Sequence, residues 1–303
     1  MAGRSRSAPP AGADSPTREW DQAELLRLMD VRPEPGGRYL APAHGPTERN
    51  VVEAGQLLGT TVVAAAKAVP GQRVTSVSMV FSRVATHDAP LSVALEVPHA
   101  GRTLSTVQAR VIQAGKQCAA GVVLLDADTP DLIRSALPMP EVTPPHRLRP
   151  LDIPGGVVRG RDMRVVDDAY DPYREQTGPP ELFVWTRFRQ SPDRPELHAA
   201  LLAQSTTHWT VAAALRPHPG FSEAMAHHSI STGITMATIT FHDEANVSAW
   251  LLYATRVVYA GRGHAQSEGR IYTEQGAIVA SYGVHAMVRA FPASGAPDSG
   301  TRL

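Results

Sequence analysis

The sequence holds a single cysteine, Cys118, among 303 residues. One thiol excludes an intrachain disulfide and a cysteine-rich zinc site, so a reducing, cytoplasmic setting is expected. There is no excess charge of either sign, with 29 basic and 29 acidic residues. Nucleic-acid binders carry a basic surplus that neutralises phosphates, and membrane-surface proteins carry polybasic clusters; neither class fits this balance. No run of about 18 apolar residues is present, so no membrane-spanning helix is expected. The opening "MAGRSRSAPPAGADSP" lacks the apolar core of a signal peptide. Gly-x-Ser-x-Gly, the phosphate-binding loop and the dinucleotide fingerprint are all missing, so no cofactor is expected. His227 and His228 are adjacent, which is not ligand spacing, and no metal is expected.

What remains is a chain that can bury a substantial core. Hydrophobic residues make up 43% and charged residues 19%, enough for one large domain or two of average size. Residues 1–17 and 293–303 are rich in Pro, Gly, Ser and Ala and are expected to be disordered tails. "WDQAELLRLMDV" reads as a short amphipathic helix, with Leu25, Leu26 and Met29 at helical spacing. Val51 to Val69 reads as a helix of small residues that could lie close against a sheet, stopped by Pro70-Gly71. Four strand-like runs follow, joined by connections short enough for antiparallel pairing. From Asp126 to about Gly160 the chain is dense in proline and reads as a linker. Two strand-like runs come next, then a helix over "ALLAQSTTHWTVAAAL", Ala200 to Leu215, then four more strand-like runs. Near its start that helix carries a polar cluster: Ser205, Thr206, Thr207 and His208.

The halves resemble one another. Arg102 and Arg262 are 160 positions apart, as are Arg110 and Arg270, while Gly115 and Gly276 are 161 apart. Both helices contain Val-Ala-Ala-Ala, at Val63–Ala66 and Val211–Ala214, and the same offset of 148 pairs Gln56 with Gln204. Matching order and near-constant offset argue for a duplicated unit. The expected division is residues 18–127, a linker at 128–160, and residues 161–292.

A long helix wrapped by an antiparallel sheet, occurring twice, is similar to a double hotdog, an α+β fold. "WLLY" at Trp250–Tyr253, "GRG" at Gly261–Gly263, Gly269, "IYT" at Ile271–Thr273, Gly276 and "VAS" at Val279–Ser281 resemble the acyl-CoA thioesterase II family, TesB-like. Gly55-Gln56 resembles the start of its first helix. The resemblance covers roughly residues 38–291 and is strongest over the last stretch. It implies a protein acting on acyl-CoA or carrier-protein-bound acyl thioesters in fatty acid metabolism or biosynthesis. It also implies an Asp, a Thr and a Gln that together activate water. Alignment through the motifs puts Thr207 at the Asp, Ile234 beside Thr235 at the Thr, and Val284 beside His285 at the Gln.

The candidate catalytic residues are therefore Thr207, His208, Thr235 and His285. Histidine titrates near neutral pH and could replace a lost carboxylate. Against this, consecutive helical residues diverge by about 100°, which turns His208 away from the direction of Thr207. His285 needs a bulge to face inward, since strand neighbours alternate faces. Gly55, Gln56, Gln204, Thr206, Ile234 and Val284 are the candidate substrate-binding residues; of these, Gln56 and Gln204 could point their amides to a junction of helix N-termini, whose N–H groups suit a developing oxyanion. Three readings stay open: hydrolysis by water activated through a non-standard set; hydration, dehydration or cyclisation on the same scaffold; and acyl binding without turnover. The sheet edges and helix faces suggest a homo-oligomer.

Overall fold

In the computed structural model, residues 21–45, 49–151, 158–171 and 177–291 are described; the expected tails fall outside them. Helix α1 (Gln22–Met29) opens with the Asp21 carboxylate accepting the Glu24 N–H at 2.8 Å, a side-chain cap for a free donor. Helix α2 (Ala54–Ala68) is buried from Gly55 through Ala65, as its run of small residues requires. Helix α3 spans Pro195–Ser205, with proline in its first turn, where the missing N–H costs nothing. Helix α4 spans Thr210–Leu215.

The strands are β1 (Arg32–Glu34), β2 (Arg38–Ala41), β3 (Arg73–Phe81), β4 (Leu91–Ala100), β5 (Leu104–Gln113) and β6 (Lys116–Asp126) in the first half. The second half supplies β7 (Arg161–Val165), β8 (Glu181–Phe188), β9 (Ile230–Phe241), β10 (Leu251–Gly261), β11 (His264–Thr273) and β12 (Ile278–Ala290). All twelve form one antiparallel sheet in the order β1-β2-β4-β5-β6-β3-β9-β12-β11-β10-β8-β7. The order from β2 to β3 repeats outward from β9 to β8, so the fold is a double hotdog with the repeats joined edge to edge. At the join, Ser78 pairs with Thr238 across β3 and β9, and their hydroxyls lie 2.9 Å apart. These residues are 160 positions apart, the offset that relates the halves in sequence. An equivalent residue pairing with its own counterpart is what a two-fold axis between duplicated units produces.

Helices α2 and α3 pack against each other. The contact is close because Gly55 has no side chain: a Cβ there would overlap the Gln204 carbonyl and come within 2.7 Å of Thr207 Oγ1.

One expectation is overturned. Ala200 to Leu215 is two helices with a break at Thr206–Trp209. Ser205 Oγ donates to the Leu201 carbonyl at 3.0 Å, Thr206 Oγ1 to Ala203 at 2.7 Å and Thr207 Oγ1 to Gln204 at 3.4 Å. Three successive hydroxyls bonding back to the chain compete with the helix's own ladder and end it. The 100° rule therefore stops applying at Thr207, and His208 is turned to the same side as its neighbour.

Candidate functional site

The break opens onto a cavity of about 570 Å³ that also borders Glu53, Arg161, Tyr170, Trp209 and Glu223. Glu53 is the residue just before α2, and its side chain makes no cap to that helix. Its carboxylate instead turns toward the break. Gln204 Nε2 donates to Glu53 Oε2 at 3.4 Å and to His208 Nε2 at 3.2 Å, and Glu53 Oε2 lies 4.0 Å from His208 Nε2. Arg161, the first residue of β7, donates from a terminal nitrogen to Gln204 Oε1 at 3.3 Å. One glutamine amide thus ties together a carboxylate, an imidazole and a guanidinium from three separate elements.

Electrostatics divides the roles. Burial pushes the Glu53 carboxyl up; the Arg161 charge, the Gln204 hydrogen bond and Arg49 pull it back only in part. Its side chain keeps 31% of its surface, and that surface opens on the cavity. Burial, reinforced by the Arg161 charge, pushes the His208 imidazole down to about 3. His208 is therefore neutral at pH 7, so its contact with Glu53 is not an ion pair. So low a value makes it a feeble proton acceptor, which weighs against its replacing a lost base. Arg161 is 7% exposed, and burial lowers its affinity for its proton while Glu53 restores part of it. Its Nε has no hydrogen-bond partner among the described residues.

The other expected residues divide into those that face the cavity and those that do not. Thr207, His208, Ile234 and Thr235 line it. A bulge does occur at the β9–β12 pairing, but the extra residue is Thr235 on β9: His285 pairs with Met236, and Ala286 with Ile234. Val284 and Ala286 are fully buried, which sends His285 to the opposite face of β12, where it stacks on His264 with ring centroids 4.8 Å apart. His285 is thus not a cavity residue. It supports one, since Thr235 Oγ1 lies 2.5 Å from its Nδ1 and donates to its carbonyl at 3.0 Å. Val284, Thr206 and Gln56 sit in the core, away from the cavity lining. Both amide atoms of Gln56 are without a hydrogen-bond partner among the described residues. Gly55 serves the helix contact, and Gln204 stands one residue behind the wall. His227 is near the rim, within 3.2 Å of Thr232 Oγ1; no cluster able to hold a metal ion occurs among the described residues.

Glu53 and Arg161 are the charged groups that this network holds at the cavity wall, yet the sequence pattern does not single them out. The signal available for Glu53 was a lone carboxylate just before a helix that holds no other acidic residue. For Arg161 there was none.

Comparison with known proteins agrees with this architecture. Residues 43–125 match the profile of the acyl-CoA thioesterase N-terminal domain, and residues 135–283 that of the acyl-CoA thioesterase C-terminal domain. The fold is similar to that of the acyl-CoA thioesterase II TesB2 from Mycobacterium marinum, at 22% identity and TM-score 0.74, over 90% of this chain and 100% of that one. It is similar to a tesB protein of Mycobacterium avium subspecies paratuberculosis, at 19% identity and TM-score 0.73, over 88% and 98%. It is also similar to a hot dog fold protein from Alicyclobacillus acidocaldarius, at 15% identity and TM-score 0.71, over 89% and 99%. No curated protein matches the sequence.

Proposed function

The chain belongs to the acyl-CoA thioesterase II family, TesB-like, whose members are thioester hydrolases, and from that premise we propose that it hydrolyses acyl thioesters with Glu53 as the water-activating base. The observation that carries this reading is the Glu53 carboxylate held at the cavity wall by Gln204, beside the position where the family's aspartate gives way to Thr207. The carboxylate lost from one helix is supplied by the helix packed against it.

Glu53 takes a proton from water as the water oxygen attacks the thioester carbonyl. The carbonyl becomes a tetrahedral oxyanion, stabilised by the Arg161 charge and by the uncapped first-turn N–H groups of α2. As the carbon–sulfur bond breaks, the protonated Glu53 returns the proton to the leaving thiolate, giving a free thiol and a carboxylic acid. The raised Glu53 pKa suits a base, because a carboxylate that binds a proton more readily than usual is better able to take one from water. Thr207 and Thr235 offer hydroxyls that would orient the water. Arg49 and Arg83 stand at the rim, where their charge suits the phosphates of a coenzyme A or carrier-protein arm.

We infer further that the chain forms a homo-oligomer through the outer face of its sheet. Val80 and Met236 face each other across β3 and β9, with Val122 on the next strand, and these are 52%, 41% and 57% exposed. The chain is divided between its repeats at the proline-rich stretch, residues 128–160.

Thiol release from a panel of acyl-CoA thioesters in isotopically labelled water tests the function. Hydrolysis places labelled oxygen in the carboxylate of the acid as thiol appears. A cavity-wall carboxyl such as Glu53 would also suit hydration or dehydration of an enoyl thioester, and that reading predicts a mass change with the thioester intact. Saturable binding with neither product favours a non-catalytic role.

A further inference from the structure

The cavity has a second polar wall that the hydrolytic step leaves unused. Trp209 links the two. It follows His208 directly, with ring centroids 6.3 Å apart, and its ring also meets Tyr170 edge-on at 5.4 Å. Tyr170 Oη then donates a hydrogen bond to the Glu223 carboxyl. Tyr170, Trp209 and Glu223 all border the same cavity as Glu53. Among the described residues, Glu223 takes no other side-chain hydrogen bond.

A carboxyl in this place is costly. Burial pushes Glu223 toward its protonated form, and the Tyr170 hydrogen bond offsets only part of that. A cavity built for a plain alkyl chain would be apolar there, as it is along Val52, Leu57, Phe81, Met163 and Met287. A neutral carboxyl presents both an O–H donor and a carbonyl acceptor, the combination that matches an alcohol.

Resting on the reading of this cavity as the acyl-thioester site, we propose that Glu223 and Tyr170 select acyl groups carrying a hydroxyl. The preferred substrate class is then a hydroxyacyl thioester, the hydroxyl lying along the chain on the Trp209 side of the carbonyl. A site built to bond a hydroxyl discriminates against the analogue without one, because the remaining polar positions of the Glu223–Tyr170 pair then face an apolar chain.

The test uses ketone analogues of acyl-CoA, in which a methylene separates sulfur from the carbonyl so that nothing can be hydrolysed. Binding to the full chain is measured by calorimetry for matched chains with the hydroxyl absent or placed at successive carbons. The expected result is about tenfold tighter binding for at least one hydroxylated chain, the worth of one well-made hydrogen bond. In Glu223→Leu that ratio falls to about one, and Glu223→Gln keeps part of it. Tyr170→Phe, which keeps the ring packing against Trp209, lowers the ratio as well and carries the test if Glu223→Leu does not fold. The proposal is overturned if no hydroxylated chain is preferred, or if the preference survives in these variants while only their melting temperature falls. In that case the Glu223–Tyr170 bond merely pins the chain. Turnover is scored separately. Ketones that bind with this preference, beside esters that release no thiol, would overturn the hydrolytic reading and leave this one standing; no binding of any analogue would remove both.

Discussion

Glu53 and His208 sit 4.0 Å apart, and their common surroundings drive them in opposite directions on the pH scale. Each is pushed toward its neutral form, because burial penalises charge of either sign. For His208 this has a measurable consequence for stability. The unfolded imidazole takes up its proton at about pH 6.5, whereas the folded one does so only at about 3. Between those values the folded state binds fewer protons. The His208 contribution is therefore complete above the unfolded value and is lost as pH falls through this window. Glu53 has the opposite sign: its raised carboxyl contributes below the unfolded carboxyl value, and that contribution is lost as pH rises through the folded one. In urea titrations the wild-type midpoint is expected to fall more steeply on acidification through the histidine window than that of His208→Asn. Parallel curves would mean that His208 is not desolvated as described.

At the scale of the element, the site depends on where α3 stops and how closely α2 approaches it. Gly55 and Gly59 separate these requirements. A Cβ at Gly55 meets backbone, the Gln204 carbonyl, and backbone cannot move aside. A Cβ at Gly59 meets chiefly the Met29 sulfur at 2.6 Å, the far end of a flexible side chain, with the Ala200 carbonyl at 3.0 Å. Gly55→Ala is expected to destabilise the fold by about 1–3 kcal/mol in chemical denaturation, from overpacking, and Gly59→Ala by less. Equal losses would show that the α2–α3 contact is not closest at the site. The sequence made α2 legible, because it is rich in small and apolar residues over a length too great for one strand. It did not reveal the end of α3. Ser205, Thr206 and Thr207 are compatible with a helix, and only their hydroxyls bonding back to Leu201, Ala203 and Gln204 end it.

For the whole molecule, the duplication explains both what could be read from the sequence and what could not. Alternating strands and a near-constant offset between the halves are patterns carried by the sequence itself, so the double hotdog was legible; the pairing of Ser78 with Thr238 across the join emerges only in the structure. The site is assembled across the join. Glu53 reaches Gln204 from 151 residues away, and no local pattern records such a meeting. Motif alignment therefore pointed to Thr207 as the place of a missing carboxylate, but not to the repeat that supplies one. The outer face of the same sheet carries the proposed subunit contact. Val122→Lys is expected to reduce the molar mass seen in light scattering without changing the far-ultraviolet dichroism. An unchanged mass would place the contact elsewhere.

The most direct test of Glu53 as the base is the pH dependence of kcat/KM for thiol release in wild type and Glu53→Gln. Glutamine keeps the size of Glu53 and its place beside Gln204, but it cannot take a proton. The wild-type rate should rise with pH through an acidic limb set above the ordinary carboxylate range. In Glu53→Gln that limb should vanish and the rate fall by about 10²-fold or more, with acyl-CoA binding retained. A variant that hydrolyses at the wild-type rate with the limb intact would contradict the assignment and return the search to Thr207 and its neighbours.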